Sequence, residues 1–263
     1  INGCGIAADA ARRGLSVVLF EADDLGGATS SASSKLIHGG LRYLEQYQLR
    51  LVREALAERE VLLRIAPHIV WPLRFTLPHV AGMRPRLLLR AGLFLYDHLA
   101  SRRLLPASRA VRFTPGDGLH PEVRHGFTYW DCWVDDARLV VLNAVAAREA
   151  GALILPRTAV TGAMVRDQRW HLASTSGAFQ VRTLINAAGP WAGEVAALTL
   201  HKRNAPAPRL RLVKGSHIVV PGAMSARAYG HNRDGFILQH SDGRVIFALP
   251  FERDFTLIGT TDI

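Results

Sequence analysis

The sequence predicts an α/β protein in which a nucleotide-binding domain is interleaved with a β-rich partner. Three observations predict it. A small-residue helix over residues 3–13, closed by Gly14, runs into a short apolar strand over 16–20 with Glu21 at its end. A second long helix starts at Asp135 and leads into the apolar run 152–155. Beyond a polar, Pro-rich stretch at 201–209 the chain breaks into separate β-runs. A β-α-β opening followed by meandering strands is the order of such an interleaved pair.

Each element has a local reason. Alanines between Gly3 and Arg13 let the first helix pack close to a sheet, and Gly14 ends it in a left-handed conformation. Residues 25–34 form a Gly/Ser/Thr loop. Residues 44–65 repeat apolar positions at three and four, with Glu54, Glu58, Arg59 and Glu60 to cover the other side and Pro67 as the stop. A strand is expected over 72–78 and a second helix over 86–105. The apolar run 87–96 of that helix suits either a core helix between domains or an interfacial membrane helix flanked by Arg90, Arg102 and Arg103. Phe127, Tyr129 and Trp130 mark a strand over 126–131. Asp135 is placed to cap the helix that Gly151 ends. Strands follow at 160–166 and 169–174 around an Asp167-Gln168 turn, at 181–186, and then at 215–221, 235–240, 244–250 and 255–261. The expected division is 1–75 and 131–200 for the nucleotide domain, 76–130 and 201–263 for the substrate domain.

Composition bounds the function. The 263 residues, 49% hydrophobic and 21% charged, suffice for one large folded domain or two modest ones. Both ends read as cuts through motifs, so an internal piece of a larger protein is expected. The charge of +10 admits an anionic membrane surface or an anionic small substrate. Scattered arginines without a basic block or an aromatic recognition motif argue against nucleic acid. Cys4 and Cys132 make no disulfide framework, and a reducing compartment is expected. The eleven histidines show no metal-ligand spacing, so no metal is expected, and no Gly-x-Ser-x-Gly elbow for acyl transfer is present. No run reaches the ~20 apolar residues of a membrane span.

The nucleotide site rests on three positions. Gly3, before the Ala-rich helix, suits the third glycine of a dinucleotide fingerprint, whose first strand and glycines would precede residue 1. Glu21, at the end of the next strand, is where an acidic side chain accepts the ribose hydroxyls. Gly189, in Asn186-Ala187-Ala188-Gly189-Pro190-Trp191, suits a crevice where a ligand passes close to the backbone. Each also has a plain reading as packing, an exposed carboxylate or a bare turn.

A resemblance then becomes specific. The run Ser33-Ser34-Lys35-Leu36-Ile37-His38-Gly39-Gly40-Leu41-Arg42-Tyr43, with Asp131-Cys132-Trp133-Val134-Asp135-Asp136-Ala137-Arg138, Lys214-Gly215-Ser216-His217 and Ile258-Gly259-Thr260-Thr261-Asp262, resembles the FAD-dependent, respiratory glycerol-3-phosphate dehydrogenases over essentially the whole chain. The resemblance implies a glutathione-reductase-like, Rossmann-type FAD domain and an antiparallel substrate domain. It also implies oxidation of sn-glycerol 3-phosphate to dihydroxyacetone phosphate, with electrons passed to a membrane quinone. The family chain is roughly twice as long, and its C-terminal half has no counterpart here.

Flavin oxidation of a secondary alcohol needs hydride delivery, a base for the hydroxyl proton and a cationic clamp for the phosphate. Arg42 is the candidate clamp, because a guanidinium grips phosphate through two parallel hydrogen bonds. Tyr43 is placed to join it, and Gly39 and Gly40 to let a flat ligand approach. Thr29, Ser30, Ser34 and Lys35 are candidates for the pyrophosphate and flavin edge, Lys35 by stabilising negative charge on the reduced ring. His38 is expected beside the flavin as a second catalytic residue. His217 is the candidate base, since a histidine titrates near neutrality. Thr260 and Thr261 are expected at the flavin–substrate boundary, with Thr261 touching substrate. Asp135, Asp136 and Arg138 are read as helix-capping residues. The expected setting is peripheral, on the cytoplasmic side of the inner membrane, with room for a homodimer. Two other functions remain open: an FAD-dependent oxidase or dehydrogenase of an amine or 2-hydroxy acid, and a non-catalytic nucleotide-binding protein.

Overall fold

The computed structural model describes residues 1–80, 82–115, 119–200, 210–213, 215–222, 234–239, 244–252 and 254–260. In chain order the elements are α1 (Asn2–Arg12), β1 (Val18–Phe20), β2 (Leu36–Ile37), α2 (Leu49–Ile65), β3 (Val70–His79), α3 (Arg86–His98), β4 (Arg109–Arg112), β5 (His125–Val134), α4 (Asp136–Glu149), β6 (Leu153–Leu155), β7 (Val160–Arg166), β8 (Arg169–Ser174), β9 (Gly177–Val181), α5 (Ala192–Leu200), β10 (Ser216–Pro221), β11 (Gly235–Gln239), β12 (Val245–Phe251) and β13 (Phe255–Thr260). Short 3-10 helices lie at Thr29–Ser31, Leu41–Gln46 and Gly189–Trp191. The α/β class and the mixture of a Rossmann-like core with a larger mixed sheet are as expected.

The chain folds into two compact units, 1–33 with 135–212, and 34–134 with 213–263. These divisions differ from the expected bounds at 75, 130 and 200. Residues 34–75 belong with the second unit because β3 pairs with β5 along ten consecutive residues, and β2 pairs with the other end of β5.

In the first unit β1 and β6 pair in parallel, as a β-α-β crossover requires. Ala7, Ala8 and Ala11 of α1 pack on Ala147 of α4, so small side chains bring two helices close together. Gly14, at φ +80°, ends α1 as expected, and Gly151, at φ +94°, follows α4. The Asp135 carboxylate accepts the Arg138 N–H at 3.2 Å and caps α4. β7, β8 and β9 form a separate antiparallel sheet. Its Asp167-Gln168 turn has positive φ at both residues, the backbone that suits a tight hairpin.

The second unit is built on an eight-stranded mixed sheet, ordered β10-β13-β12-β11-β3-β5-β2 with β4 paired to β5. Its core gathers Val52 and Leu56 of α2, Leu93 and Tyr96 of α3, and Phe75, Phe127 and Tyr129 of the sheet. α3 buries Leu93 and Tyr96 while Leu87 (86% exposed), Leu88 and Phe94 remain outside, so it is a core helix on one face only.

Three elements differ from expectation. The helix expected over 44–65 is split: a 3-10 helix ends at Gln46, Tyr47 takes φ +57°, and α2 starts at Leu49. Apolar spacing does not register one left-handed residue. The second helix ends at His98 rather than 105, where Asp97 instead accepts the Ser108 N–H and hydroxyl and pairs with Arg102. The strand expected over 181–186 stops at Val181, the last residue paired to β8, and Ile185 is exposed. An apolar run needs a neighbouring strand to complete its hydrogen bonds, and none of the described strands pairs with 183–186.

Inside the second unit Arg59, Asp131 and Asp234 are buried charged groups among the described residues. Asp131 on β5 is 2% exposed and accepts hydrogen bonds from Arg59 of α2 and from the Tyr96 hydroxyl at 2.8 and 2.9 Å. Arg59 also donates to the Trp130 carbonyl at 2.9 Å. Burial pushes the Asp131 carboxyl up, and the Arg59 charge opposes it. Breaking such a pair strands a buried charge. Arg59→Met should therefore lower the unfolding free energy by about 3–5 kcal/mol in chemical denaturation. A loss below about 1 kcal/mol, the range of an exposed pair, would contradict the assignment.

Candidate active site

In the first unit the expected nucleotide residues gather at one end of α1. Glu21 directly follows β1, partly buried, and its Oε1 accepts the Asp23 N–H at 3.0 Å. Its own backbone is fixed on both sides, to Leu155 and to Thr158. Ser30, in the 3-10 helix with Thr29, has its hydroxyl oxygen 3.0 Å from the Ile1 backbone nitrogen, which brings the serine loop beside the start of α1. The first turn of α1 carries no acidic residue.

The glycines divide by what an added side chain would meet. A Cβ at Gly3 would lie in ordinary contact, 3.6 Å from Ala187 and Leu19, so packing between helix and strand does not demand glycine there. Gly189, at φ +54°, faces open space. Of the two, Gly189 leaves room for a ligand. In the second unit, at Gly39, a Cβ would strike Leu56 and, at 2.7 Å, the Tyr96 hydroxyl. Gly40, at φ +71°, lies under the Tyr43 ring. The Cβ directions at Gly39 and Gly40 are taken by the protein's own side chains, so both positions require glycine.

The second unit collects the charged candidates. His38 is exposed immediately before Gly39, and Arg42 and Tyr43 are exposed on the 3-10 helix after Gly40. Ser34 Oγ lies 2.8 Å from His217 Nε2 on β10. Lys35 sits next in the chain at φ +58°, a conformation costly for a residue with a Cβ, and its carbonyl accepts the Val134 N–H. Strain of this kind gathers at functional positions. Burial, and then the Lys35 charge, hold the His217 imidazole below its ordinary value. It is therefore neutral near pH 7 and able to take a proton. The His217 ring lies across Gly259, its partner in the β10–β13 register; a Cβ there would collide with the ring.

Among the capping residues, Asp136 has a second task, accepting the Ser33 hydroxyl at 2.7 Å. Thr260 donates its hydroxyl to the Val245 carbonyl at 2.9 Å. Lys214, Thr261 and Asp262 lie outside the described residues. Among those described, no cluster of His, Cys, Asp or Glu suits a metal ion, and no helix is long and apolar enough to cross a membrane. Sequence reasoning missed Arg59 and Tyr96. The available signal was Asp131 itself, a carboxylate among Phe127, Tyr129, Trp130, Cys132 and Trp133, which demands buried partners.

A β-α-β end whose β1 closes on an acidic side chain defines a dinucleotide-binding protein as the class. The profile of the family described as FAD dependent oxidoreductase matches residues 1–263, and the chain belongs to that family. It is 56% identical over 267 residues to a glycerol-3-phosphate dehydrogenase of Pseudomonas aeruginosa, covering 100% of this chain and 51% of that one. It is 51% identical over 275 residues to a D-erythritol 1-phosphate dehydrogenase of Brucella abortus, covering 100% of this chain and 53% of that one. The structure of the glycerol-3-phosphate dehydrogenase from Bacillus halodurans complexed with FAD is similar at a TM-score of 0.68 and 27% identity, over 99% of this chain and 45% of that one. The chain thus spans about half the length of the curated relatives it matches.

The site's central contact is open to a direct check. Gly259→Ala should drive the His217 ring off Ser34 and toward solvent. Its titration, followed by NMR, should then rise toward the ordinary histidine value, because burial is the main cause of its depression. An unmoved titration would contradict the packing of His217 on Gly259.

Proposed function

We propose that this chain carries the cofactor- and substrate-binding residues of an FAD-dependent dehydrogenase that oxidises sn-glycerol 3-phosphate to dihydroxyacetone phosphate. The carrying observation is whole-chain identity of 50% or more to dehydrogenases of phosphorylated polyols. Gly3, Glu21, Thr29, Ser30 and Gly189 are assigned to the nucleotide part of FAD, and Ser34, Lys35, His38, Gly39 and Gly40 to the flavin surroundings. The open space at Gly189 and the acidic end of β1 fit that cofactor. Bound FAD supplies the hydride acceptor and relays the electrons, on this reading to a membrane quinone.

The chain's own residues bind the substrate and move its proton. Arg42 grips the phosphate through paired hydrogen bonds, and Tyr43 adds its hydroxyl. Thr261 is assigned to the substrate as well. His217, neutral and held by Ser34, accepts the proton of the hydroxyl being oxidised. Burial, and then the Lys35 charge, keep the imidazole unprotonated, and the same charge favours an anionic substrate. D-Erythritol 1-phosphate is the second reading, favoured by the near-equal identity of the Brucella relative. It uses the same clamp and base and differs only in the polyol chain.

Arg42→Ala in the full-length protein should raise KM for sn-glycerol 3-phosphate strongly while bound flavin is retained, since one charge-assisted pair is worth about 2–5 kcal/mol. Steady-state kinetics with an artificial acceptor measure this. An unchanged KM would remove Arg42 from the phosphate site.

The setting proposed is the cytoplasmic face of the inner membrane, held peripherally. Leu87, Leu88, Phe94 and Leu95 of α3 are exposed apolar groups, and the charge of +10 favours anionic lipid. Arg102 contributes less than expected, because it is paired with Asp97. Full-length protein should co-sediment with anionic liposomes at low salt and less so at high salt. Absence of binding at both salts, with quinone reduction intact, would contradict the membrane setting alone.

A further inference from the structure

The turn that carries His38 and Arg42 hangs from a buried polar chain to which the proposed chemistry gives no task. The Gly39 N–H donates to the Tyr96 hydroxyl oxygen at 2.8 Å. The Tyr96 hydroxyl donates to Asp131, and Asp131 is held by Arg59. Leu56 and the same Tyr96 hydroxyl also occupy the space a Gly39 side chain would need. Gly39 is thus fixed both by its backbone and by packing. It directly follows His38 and begins the turn that Gly40, at φ +71°, passes on to the 3-10 helix bearing Arg42.

A purely structural role explains this poorly. The Tyr96 ring already packs edge-on against Tyr129 at 5.8 Å, a contact phenylalanine would keep. Filling the core with apolar groups avoids the desolvation of Asp131 and Arg59, and such replacements are often neutral or stabilising. What the polar chain adds is a fixed position for one backbone N–H at the pivot of the substrate turn.

We propose that Tyr96, braced by Asp131 and Arg59, is a positioning residue for the phosphate clamp: it pins Gly39 and thereby sets where Arg42 meets the substrate. The proposal rests on the polyol-phosphate reading above and names a residue for which that reading has no role. Because Tyr96 acts through Arg42, the two must be energetically coupled, and a double-mutant cycle reads that coupling.

The test uses full-length, FAD-loaded protein as wild type, Tyr96→Phe, Arg42→Ala and the double variant, with sn-glycerol 3-phosphate as substrate. Tyr96→Phe should raise KM about tenfold and leave kcat within about twofold, and the double variant should be no worse than Arg42→Ala alone. A lower melting temperature without a KM change, or losses that multiply independently, would overturn the proposal. If Tyr96→Phe does not accumulate as folded protein, Arg59→Lys enters the same cycle and is judged by the same outcomes. A wild-type protein that oxidises no phosphorylated polyol overturns the functional reading itself, and the proposal falls with it.

Discussion

The carboxylate of Asp131 imposes the main constraint on the second unit. It sits within β5 among aromatic side chains, where a lone charge would cost several kcal/mol. Its partners come from far apart in the chain: Arg59 from α2 and Tyr96 from α3. Satisfying one group therefore docks two helices on the sheet in a single register. An apolar core tolerates sliding of its parts better than a hydrogen-bonded one. The same chain of contacts ends at the Gly39 N–H, so the constraint that docks the helices also fixes the turn bearing the proposed clamp.

Around that turn the backbone carries conformations that side chains resist. Gly40 is left-handed beneath Tyr43, and Lys35 is left-handed although it is not glycine. Lys35 is next to Ser34, which holds His217, and its charge helps keep the imidazole neutral. Gly259 makes room for the ring from the neighbouring strand. Three residues, Ser34, Lys35 and Gly259, thus set the position and charge state of one histidine. A histidine in this state loses activity only when pH falls below its depressed value, because protonation removes the acceptor.

Much of this was legible in the sequence. Elements bounded by strong punctuation came through: α1 before Gly14, α4 between Asp135 and Gly151, and the β7–β8 hairpin around Asp167-Gln168. The strands β10 to β13 matched their apolar runs closely. The failures share a cause, since each depended on partners that local pattern does not encode. The apolar run over 183–186 found no described strand to pair with. A left-handed Tyr47 broke a continuous helical pattern. At the site, residue types in the Ser34–Tyr43 run pointed to phosphate and flavin chemistry. The reason for Gly39 was hidden, because its neighbours Leu56 and Tyr96 lie far along the chain.

Family membership fixes the cofactor class, while substrate choice rests on the clamp and on relatives that act on two different polyol phosphates. The most direct measurement is anaerobic rapid mixing of the FAD-loaded, full-length protein with sn-glycerol 3-phosphate, followed by flavin absorbance. The account predicts that the oxidised flavin band bleaches in a substrate-dependent phase, and that glycerol without its phosphate fails to bleach it. A flavin that dithionite reduces but neither sn-glycerol 3-phosphate nor D-erythritol 1-phosphate reduces would contradict it.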